Sequence, residues 1–183
     1  GLRTIRVDQS KQKTGRRFCI QVNGQDVFCK GGNWVPADAI LARVTPSRYE
    51  HLVSEAKEAH YTMLRVWGGG IYEDDAFYNA CDRAGILIWQ DFMFACTDYP
   101  CHDAVFRAVV REETEKAIRR LRHHPCIALW CGNNENISWL PAGRGKWGWR
   151  IYEQVLPEVC RLLDPERFYW PSSPSGGVDP RAE

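Results

Sequence analysis

The sequence lacks an excess of charge of either sign. Its 24 lysines and arginines nearly balance 23 aspartates and glutamates, which leaves a net charge of +1 over 183 residues. The basic residues form no stripe, so nucleic acid and anionic membrane surfaces are poor candidates for partners. The composition is otherwise ordinary for a globular protein, with 44% hydrophobic residues available to build a core.

The eight cysteines include no Cys-x-x-Cys pair, and the five histidines do not stand at zinc-finger spacing. A zinc site is therefore not expected, and the sequence predicts neither a metal nor a cofactor. Several cysteines lie within apolar runs, which is typical of reduced, buried thiols. Cys96 and Cys101 flank Thr-Asp-Tyr-Pro, so a small disulfide loop between them is the alternative.

The sequence contains no transmembrane run, signal peptide or targeting motif. A membrane partner is therefore not predicted. The chain begins abruptly in a strand-like segment, so a leader that precedes this segment stays open, as do cytoplasm, periplasm and lysosome as compartments. The first buried strand is not followed by a Gly-x-Gly-x-x-Gly turn, which argues against a dinucleotide-binding sheet.

The start of the chain has the pattern of β-structure. Leu2–Val7 alternates as a strand, and residues 8–17 form a polar connection. Phe18–Val22 and Val27–Lys30 are apolar runs on either side of Asn23-Gly24. Because Asn-Gly readily adopts the positive φ angles of a tight turn, these residues predict a β-hairpin.

Farther along, helical patterns alternate with short apolar strands. Alternation of this kind favours parallel pairing with right-handed crossovers. A whole (β/α)8 TIM barrel needs about 250 residues, so we predict an incomplete barrel of about the first five strands, preceded by a short β-hairpin segment. An open doubly wound sheet is the alternative. The five predicted strands lie near residues 29–34, 63–67, 86–89, 127–131 and 168–170, with four helices between them.

Polar side chains follow several of the predicted strands. The carboxyl ends of parallel strands meet at one edge of a sheet or barrel, so these side chains are expected to line one pocket. Arg65 stands in an otherwise apolar strand and should pair with a carboxylate such as Asp91 or Glu135, because an unpaired buried guanidinium is costly. Taken alone, Glu135 could also be a helix cap or a surface residue. The strand-end set comprises Asp38, Arg65, Trp67, Asp91, Asn133, Asn134, Glu135 and Trp139.

Four motifs extend along nearly the whole chain, at Lys30–Asp38, Leu64–Glu73, Trp89–Cys96 and Trp130–Glu135. Together they are similar to the catalytic barrel of the β-mannosidases of glycoside hydrolase family 2. The resemblance implies a retaining exo-glycosidase that removes terminal β-linked mannose from oligosaccharides or glycoconjugates. It also implies that residues 1–17 are the end of a β-sandwich domain or a linker, and that residues 18–183 are the N-terminal portion of the barrel.

The same resemblance assigns roles to the strand-end residues. Glu135 is expected to be the general acid/base, and Asn134 to hydrogen-bond the sugar 2-hydroxyl. An indole at Trp67 favours a neutral mannoside, since the related exo-β-glucosaminidases typically carry a glutamate there. The remaining substrate-binding residues implied by the match are Arg65, Asp91, Trp139 and Asp38.

A retaining glycosidase needs two carboxyl groups about 5–5.5 Å apart, one as nucleophile and one as proton donor and then acceptor. In the resembled family the nucleophile is a second glutamate at the end of the seventh strand, which this chain does not reach. We therefore expect the chain to supply the acid/base only and to be inactive alone.

Unpaired barrel edges predict self-association of the chain. Two other functions stay open on the sequence alone. One is another family 2 activity, exo-β-glucosaminidase or β-galactosidase. The other is a non-catalytic carbohydrate-binding module that uses a tryptophan-rich face, since the chain has eight tryptophans.

Overall fold

A computed structural model describes residues 3–136 and 148–175. A 3₁₀ turn at Leu41–Arg43 precedes the first α-helix, and a π-helical turn at Ile151–Val155 leads directly into the last one. The α-helices are α1 (Pro46–Glu58), α2 (Asp75–Ala84), α3 (Ala104–Leu121) and α4 (Leu156–Leu163). The strands are β1 (Ile5–Asp8), β2 (Cys19–Val22), β3 (Gln25–Val27), β4 (Gly31–Trp34), β5 (Met63–Val66), β6 (Leu87–Asp91), β7 (Ile127–Cys131) and β8 (Phe168–Trp170).

The strands form two sheets. β1, β2 and β3 make a three-stranded antiparallel sheet, and β4 to β8 make a five-stranded parallel sheet in chain order. One helical connection separates each pair of successive parallel strands, so the predicted alternation of five strands and four helices is confirmed. Within the described ranges the parallel sheet is part of an α/β domain, with β4 and β8 as its outer strands.

The predicted hairpin is confirmed. β2 pairs antiparallel with β3, and the φ angles of Asn23 and Gly24 are 51° and 78°. β1 pairs with β2 on its other side, so the first strand belongs to the same small sheet. The Phe18 ring lies against the parallel sheet, with its centroid 4.9 Å from that of Trp170 and 6.1 Å from that of Trp89. The small sheet therefore packs on one face of the large one.

The ends of the helices follow capping chemistry. The Thr45 side chain accepts a hydrogen bond from the N–H of Arg48 at the start of α1, and Gly85 ends α2 in the left-handed conformation with φ 73°. Threonine before proline and glycine after a helical pattern are typical start and stop signals, so both boundaries follow from the local sequence. A π-helical turn at Ile151–Val155 comes just before Pro157, which lies in the first turn of α4, where a missing N–H is tolerated. No helix in the described part of the chain is long and apolar enough to cross a membrane.

Side chains of the parallel strands alternate between two faces. Leu64, Ile88 and Trp130 belong to the core between the sheet and its helices. Met63 and Leu129 belong to a second apolar cluster on the other face, where the hairpin packs. Because the strands are parallel, their carboxyl ends all lie at one edge of the sheet, and the polar side chains that follow them meet there.

Candidate active site

The carboxyl edge of the parallel sheet carries a buried ion pair. Arg65 on β5 donates from Nε and Nη2 to the two carboxylate oxygens of Asp91 at the end of β6, at 3.3 and 2.7 Å. The Asp91 side chain is fully buried, and that of Arg65 is 17% exposed. The prediction of a carboxylate partner for Arg65 is therefore confirmed, with Asp91 as the partner. Two parallel N–H···O bonds fix the plane of the guanidinium group.

Two further donors hold the Asp91 carboxylate. The backbone N–H of Gly68 bonds to Oδ2 at 3.0 Å, and the indole N–H of Trp89 bonds to Oδ1 at 2.9 Å. Burial raises the pKa of Asp91, whereas Arg65 and the Gly68 N–H lower it. Gly68 lies this close to the β6 extension because it has no side chain: a Cβ there would be 2.5 Å from the carbonyl oxygen of Phe94. Gly68 therefore permits a close approach of two backbone segments that a larger residue would block.

Arg65 also donates hydrogen bonds to two asparagine side chains, one on each side of it at this edge of the sheet. Its Nη2 donates to Oδ1 of Asn134 at 2.8 Å, and its Nη1 donates to Oδ1 of Asn33 at 3.0 Å. Asn33 is the register partner of Arg65 on β4. No role was predicted for Asn33, although its place at the end of the first predicted parallel strand was the available signal.

Glu135 lies just beyond β7 on a left-handed backbone, with φ 63°. Its N–H bonds to the carbonyl oxygen of Ser173 at 2.9 Å, so the segment after β8 supports the Glu135 backbone. The Glu135 side chain is half-buried. Gly132 lets the two segments approach, because a Cβ there would be 2.4 Å from the carbonyl oxygen of Pro171.

The side chain of Asn133 joins the same two segments. It is completely buried. Its Oδ1 accepts from the N–H of Asn136 at 2.9 Å and from the Ser172 hydroxyl at 2.8 Å, and its Nδ2 donates to the carbonyl oxygen of Pro171 at 3.0 Å. These bonds fix the loop that carries Asn134 and Glu135. The position of Asn133 in the motif was visible in the sequence, but its partners after β8 were not.

Cys96 lies between the side chains of Asn134 and Glu135. The Asn134 amide donates from Nδ2 to the Cys96 sulfur at 3.1 Å, and the thiol lies 3.7 Å from Oε2 of Glu135. Cys96 is an exposed free thiol, so the alternative of a disulfide with Cys101 is not realised. The N–H of Cys96 bonds to the Asn134 carbonyl oxygen at 3.0 Å, which continues the pairing of β6 and β7 past their ends.

Trp67 follows β5 directly and is half-buried. Its indole lies over Gly69, since a Cβ on that glycine would be 2.0 Å from the Trp67 ring. The Trp67 carbonyl oxygen accepts the N–H of Gly70 at 3.0 Å, which closes the turn. The ring is therefore held by the glycine turn that also brings the Gly68 N–H to Asp91.

Among the described residues, one predicted site residue, Asp38, does not contact the Arg65–Asp91–Asn134 group. The Asp38 carboxylate accepts the N–H of Ile40 at 2.8 Å and pairs with Arg43 at 2.9 Å. These contacts lie within its own loop, so a role for Asp38 in substrate binding stays a prediction. Trp139 lies outside the described residues.

The assembled groups suit hydrogen bonding and proton transfer. Arg65, Asn134 and Glu135 present a guanidinium, a carboxamide and a carboxylate at one edge, which are groups that bind hydroxyl-rich ligands. Among residues 3–136 and 148–175, no three or more His, Cys, Asp or Glu side chains converge as metal ligands.

The chain is similar to curated β-mannosidases and to a solved one. Beta-mannosidase B of Emericella nidulans is 41% identical over 192 residues, and the match covers 96% of this chain. The β-D-mannosidase of Dictyoglomus thermophilum is 50% identical with a TM-score of 0.93, and the match covers 98% of this chain. Over nearly its whole length, this chain resembles a segment of these β-mannosidases. It spans 23% of the length of each of these two relatives.

Other solved structures are similar to this chain at lower sequence identity. The β-glucuronidase of Parabacteroides merdae has a TM-score of 0.74 at 17% identity over 92% of this chain and 20% of that protein. The exo-chitosanase CsxA of Amycolatopsis orientalis has a TM-score of 0.73 at 19% identity over 94% of this chain and 19% of that protein. At these identities the likeness shows the fold alone. No protein-family model matches the chain.

Proposed function

We propose that this chain is the N-terminal portion of the (β/α)8 catalytic barrel of a retaining exo-β-mannosidase. The enzyme would hydrolyse terminal β-linked mannose from oligosaccharides or glycoconjugates. The observation that carries the proposal is the position of Asn134 and Glu135 at the end of β7, on the same edge as the Arg65–Asp91 pair. Active sites of (β/α)8 barrels are built at this end of their strands.

Glu135 is the proposed general acid/base. In the first step its carboxylic acid would protonate the glycosidic oxygen as the aglycone leaves, and in the second its carboxylate would take a proton from the attacking water. A second carboxylate about 5–5.5 Å away would form the covalent glycosyl-enzyme. We assign that nucleophile to a strand that follows this chain in the full-length enzyme.

Asn134 is proposed to bind the sugar 2-hydroxyl. Its Oδ1 accepts from Arg65 and its Nδ2 donates to Cys96, which leaves one N–H and one lone pair for a ligand. Since Asp91 locks Arg65, the carboxamide is oriented before substrate arrives, as effective electrostatic catalysis requires. Trp67 would present its ring to the apolar face of the mannose.

A leaving-group comparison in the full-length protein tests the role of Glu135. Glu135→Gln should lower kcat by about 100-fold or more for a β-mannoside with a poor leaving group. A dinitrophenyl β-mannoside needs little protonation, so its glycosylation rate should fall much less. Glu166→Gln changes an exposed glutamate at the amino end of β8 and serves as the matched control. Wild-type turnover by Glu135→Gln would refute the proposal.

A substrate panel on the same full-length protein tests sugar specificity. We expect the largest kcat/KM with the β-mannoside, ahead of the β-glucosaminide and the β-galactoside. A different ranking would assign the chain to one of the other family 2 activities. Mannose binding that survives Glu135→Gln but is lost in Trp67→Ala, without any turnover by the wild type, would instead support a carbohydrate-binding module.

The isolated chain is also proposed to self-associate through its sheet edges. β4 and β8 are the outer strands of the described parallel sheet, and Gly31, Gly32 and Asn33 on β4 are exposed. Unpaired edge strands bind other strands through free backbone groups. Sedimentation velocity should therefore detect dimers or larger species, and a monomer over a wide concentration range would contradict this.

A further inference from the structure

The carboxyl group of Glu135 has an unusual neighbour for an acid/base. Among the described residues, its hydrogen-bonding contact is the Cys96 thiol, 3.7 Å from Oε2. The nearby cation, Arg65, is directed instead to Asp91 and Asn134. The thiol also accepts the Asn134 amide at 3.1 Å, so it bridges the two residues proposed to act on the sugar.

We propose that Cys96 is a positioning residue that holds the Glu135 carboxyl group in the orientation needed for proton transfer to the leaving group. This inference rests on the proposed function. Cys96 acts through Glu135 and Asn134 and does not itself contact the reacting atoms.

The backbone around Cys96 is built to place this thiol. Cys96 has a φ of 50°, a backbone conformation that residues other than glycine, asparagine and aspartate rarely adopt. Its N–H bonds to the Asn134 carbonyl oxygen, and the preceding residue, Ala95, pairs with Asn134 as an isolated parallel bridge. The Ala95 N–H is bonded to the Tyr99 hydroxyl at 3.1 Å. Contacts on both sides of Cys96 therefore hold the left-handed residue in place.

A thiol suits a group that must change protonation state twice in each turnover. Arginine or lysine at this distance would strongly favour the carboxylate and oppose the proton-donating form. The S–H group is a weak donor and a weak acceptor, so it can accompany either form of Glu135. It restrains the rotation of the carboxyl group without fixing its charge.

The test compares two substrates within each variant of the full-length protein. Cys96→Ala removes the bridge, and Cys96→Ser restores a donor and acceptor at the same Cβ. Loss of a hydrogen bond of ordinary strength corresponds to about a fivefold effect. We therefore expect Cys96→Ala to lower kcat/KM, which reports the glycosylation step, about fivefold for a β-mannoside with a poor leaving group and less than about twofold for the dinitrophenyl β-mannoside. Cys96→Ser should recover most of the loss.

The ratio of the two rates does not depend on the fraction of protein that is folded, so poor folding of a variant cannot imitate the expected result. Cys29→Ala provides the control, because Cys29 is also an exposed free thiol but lies before β4, at the amino edge of the sheet. Equal losses for both substrates, or no loss, in Cys96→Ala would overturn the inference. If Glu135→Gln also leaves the poor substrate unaffected, the proposed function itself fails.

Discussion

The Arg65–Asp91 pair allows a quantitative test of how the site is held together. Asp91→Asn keeps the shape of the side chain and removes its charge. The guanidinium of Arg65 would then stay in a site where only 17% of its side chain is exposed. Breaking one partner of a buried ion pair typically costs about 3–5 kcal/mol of the free energy of unfolding.

The structure places the expected cost at the lower end of that range. The oxygens of Asn33 and Asn134 still accept from Arg65 after the substitution, so the cation keeps part of its solvation. We expect Asp91→Asn to lower the free energy of unfolding by about 3 kcal/mol. Arg65→Met should cost at least as much, because it leaves the fully buried carboxylate with only the N–H donors of Gly68 and Trp89.

A double-mutant cycle measured by denaturant unfolding of the full-length protein gives the coupling. With both groups replaced, no buried charge remains unpaired, so the double variant should lose at least about 2 kcal/mol less than the sum of the single variants. Coincident transitions by fluorescence and circular dichroism would validate the free energies. Additivity within about 0.5 kcal/mol would refute the reasoning, since it would mean that the two side chains stabilise the fold independently.

Two further outcomes follow from other contacts. Gly132→Ala should lower the free energy of unfolding by about 1–3 kcal/mol, because its Cβ would lie 2.4 Å from the Pro171 carbonyl oxygen; an unchanged denaturation midpoint would contradict this. Hydrogen bonds from Gln21 and Arg17 lower the pKa of Asp26. The stability that the ionised Asp26 gives the small sheet is therefore present at neutral pH and lost as the pH falls through this lowered pKa. Hydrogen exchange of the hairpin amides, compared between wild type and Asp26→Asn, should therefore differ at neutral pH and converge in acid.

The order of elements could be predicted from the sequence because each signal is local. Thr45 next to Pro46 starts a helix, Gly85 ends one, and Asn23-Gly24 makes a hairpin turn through the conformations that these residues favour. Parallel pairing followed from the alternation of strands and helices. These features depend on residues that are neighbours in the chain.

The contacts of the candidate site depend on residues that are far apart in the chain. Burial energetics predicted that Arg65 needs a carboxylate, but Asp91 and Glu135 were equal candidates until the strands were aligned. The bridge from Cys96 to Glu135 could not be predicted, because it depends on two left-handed backbone conformations in loops whose lengths follow no regular period. The support of Asn133 by the segment after β8 is likewise set by the packing of one loop on another.

The left-handed backbone of Glu135 lowers the stability of the fold relative to glycine at this position. At φ 63° an ordinary side chain costs about 1 kcal/mol or more relative to glycine. Selection for a stable fold alone would therefore replace this glutamate with glycine, and under the proposed acid/base role the same replacement would abolish proton transfer. Position 135 is thus a point where stability and activity favour different residues. An acidic residue retained at such a backbone position, in any related segment, is a sign that the site is still in use.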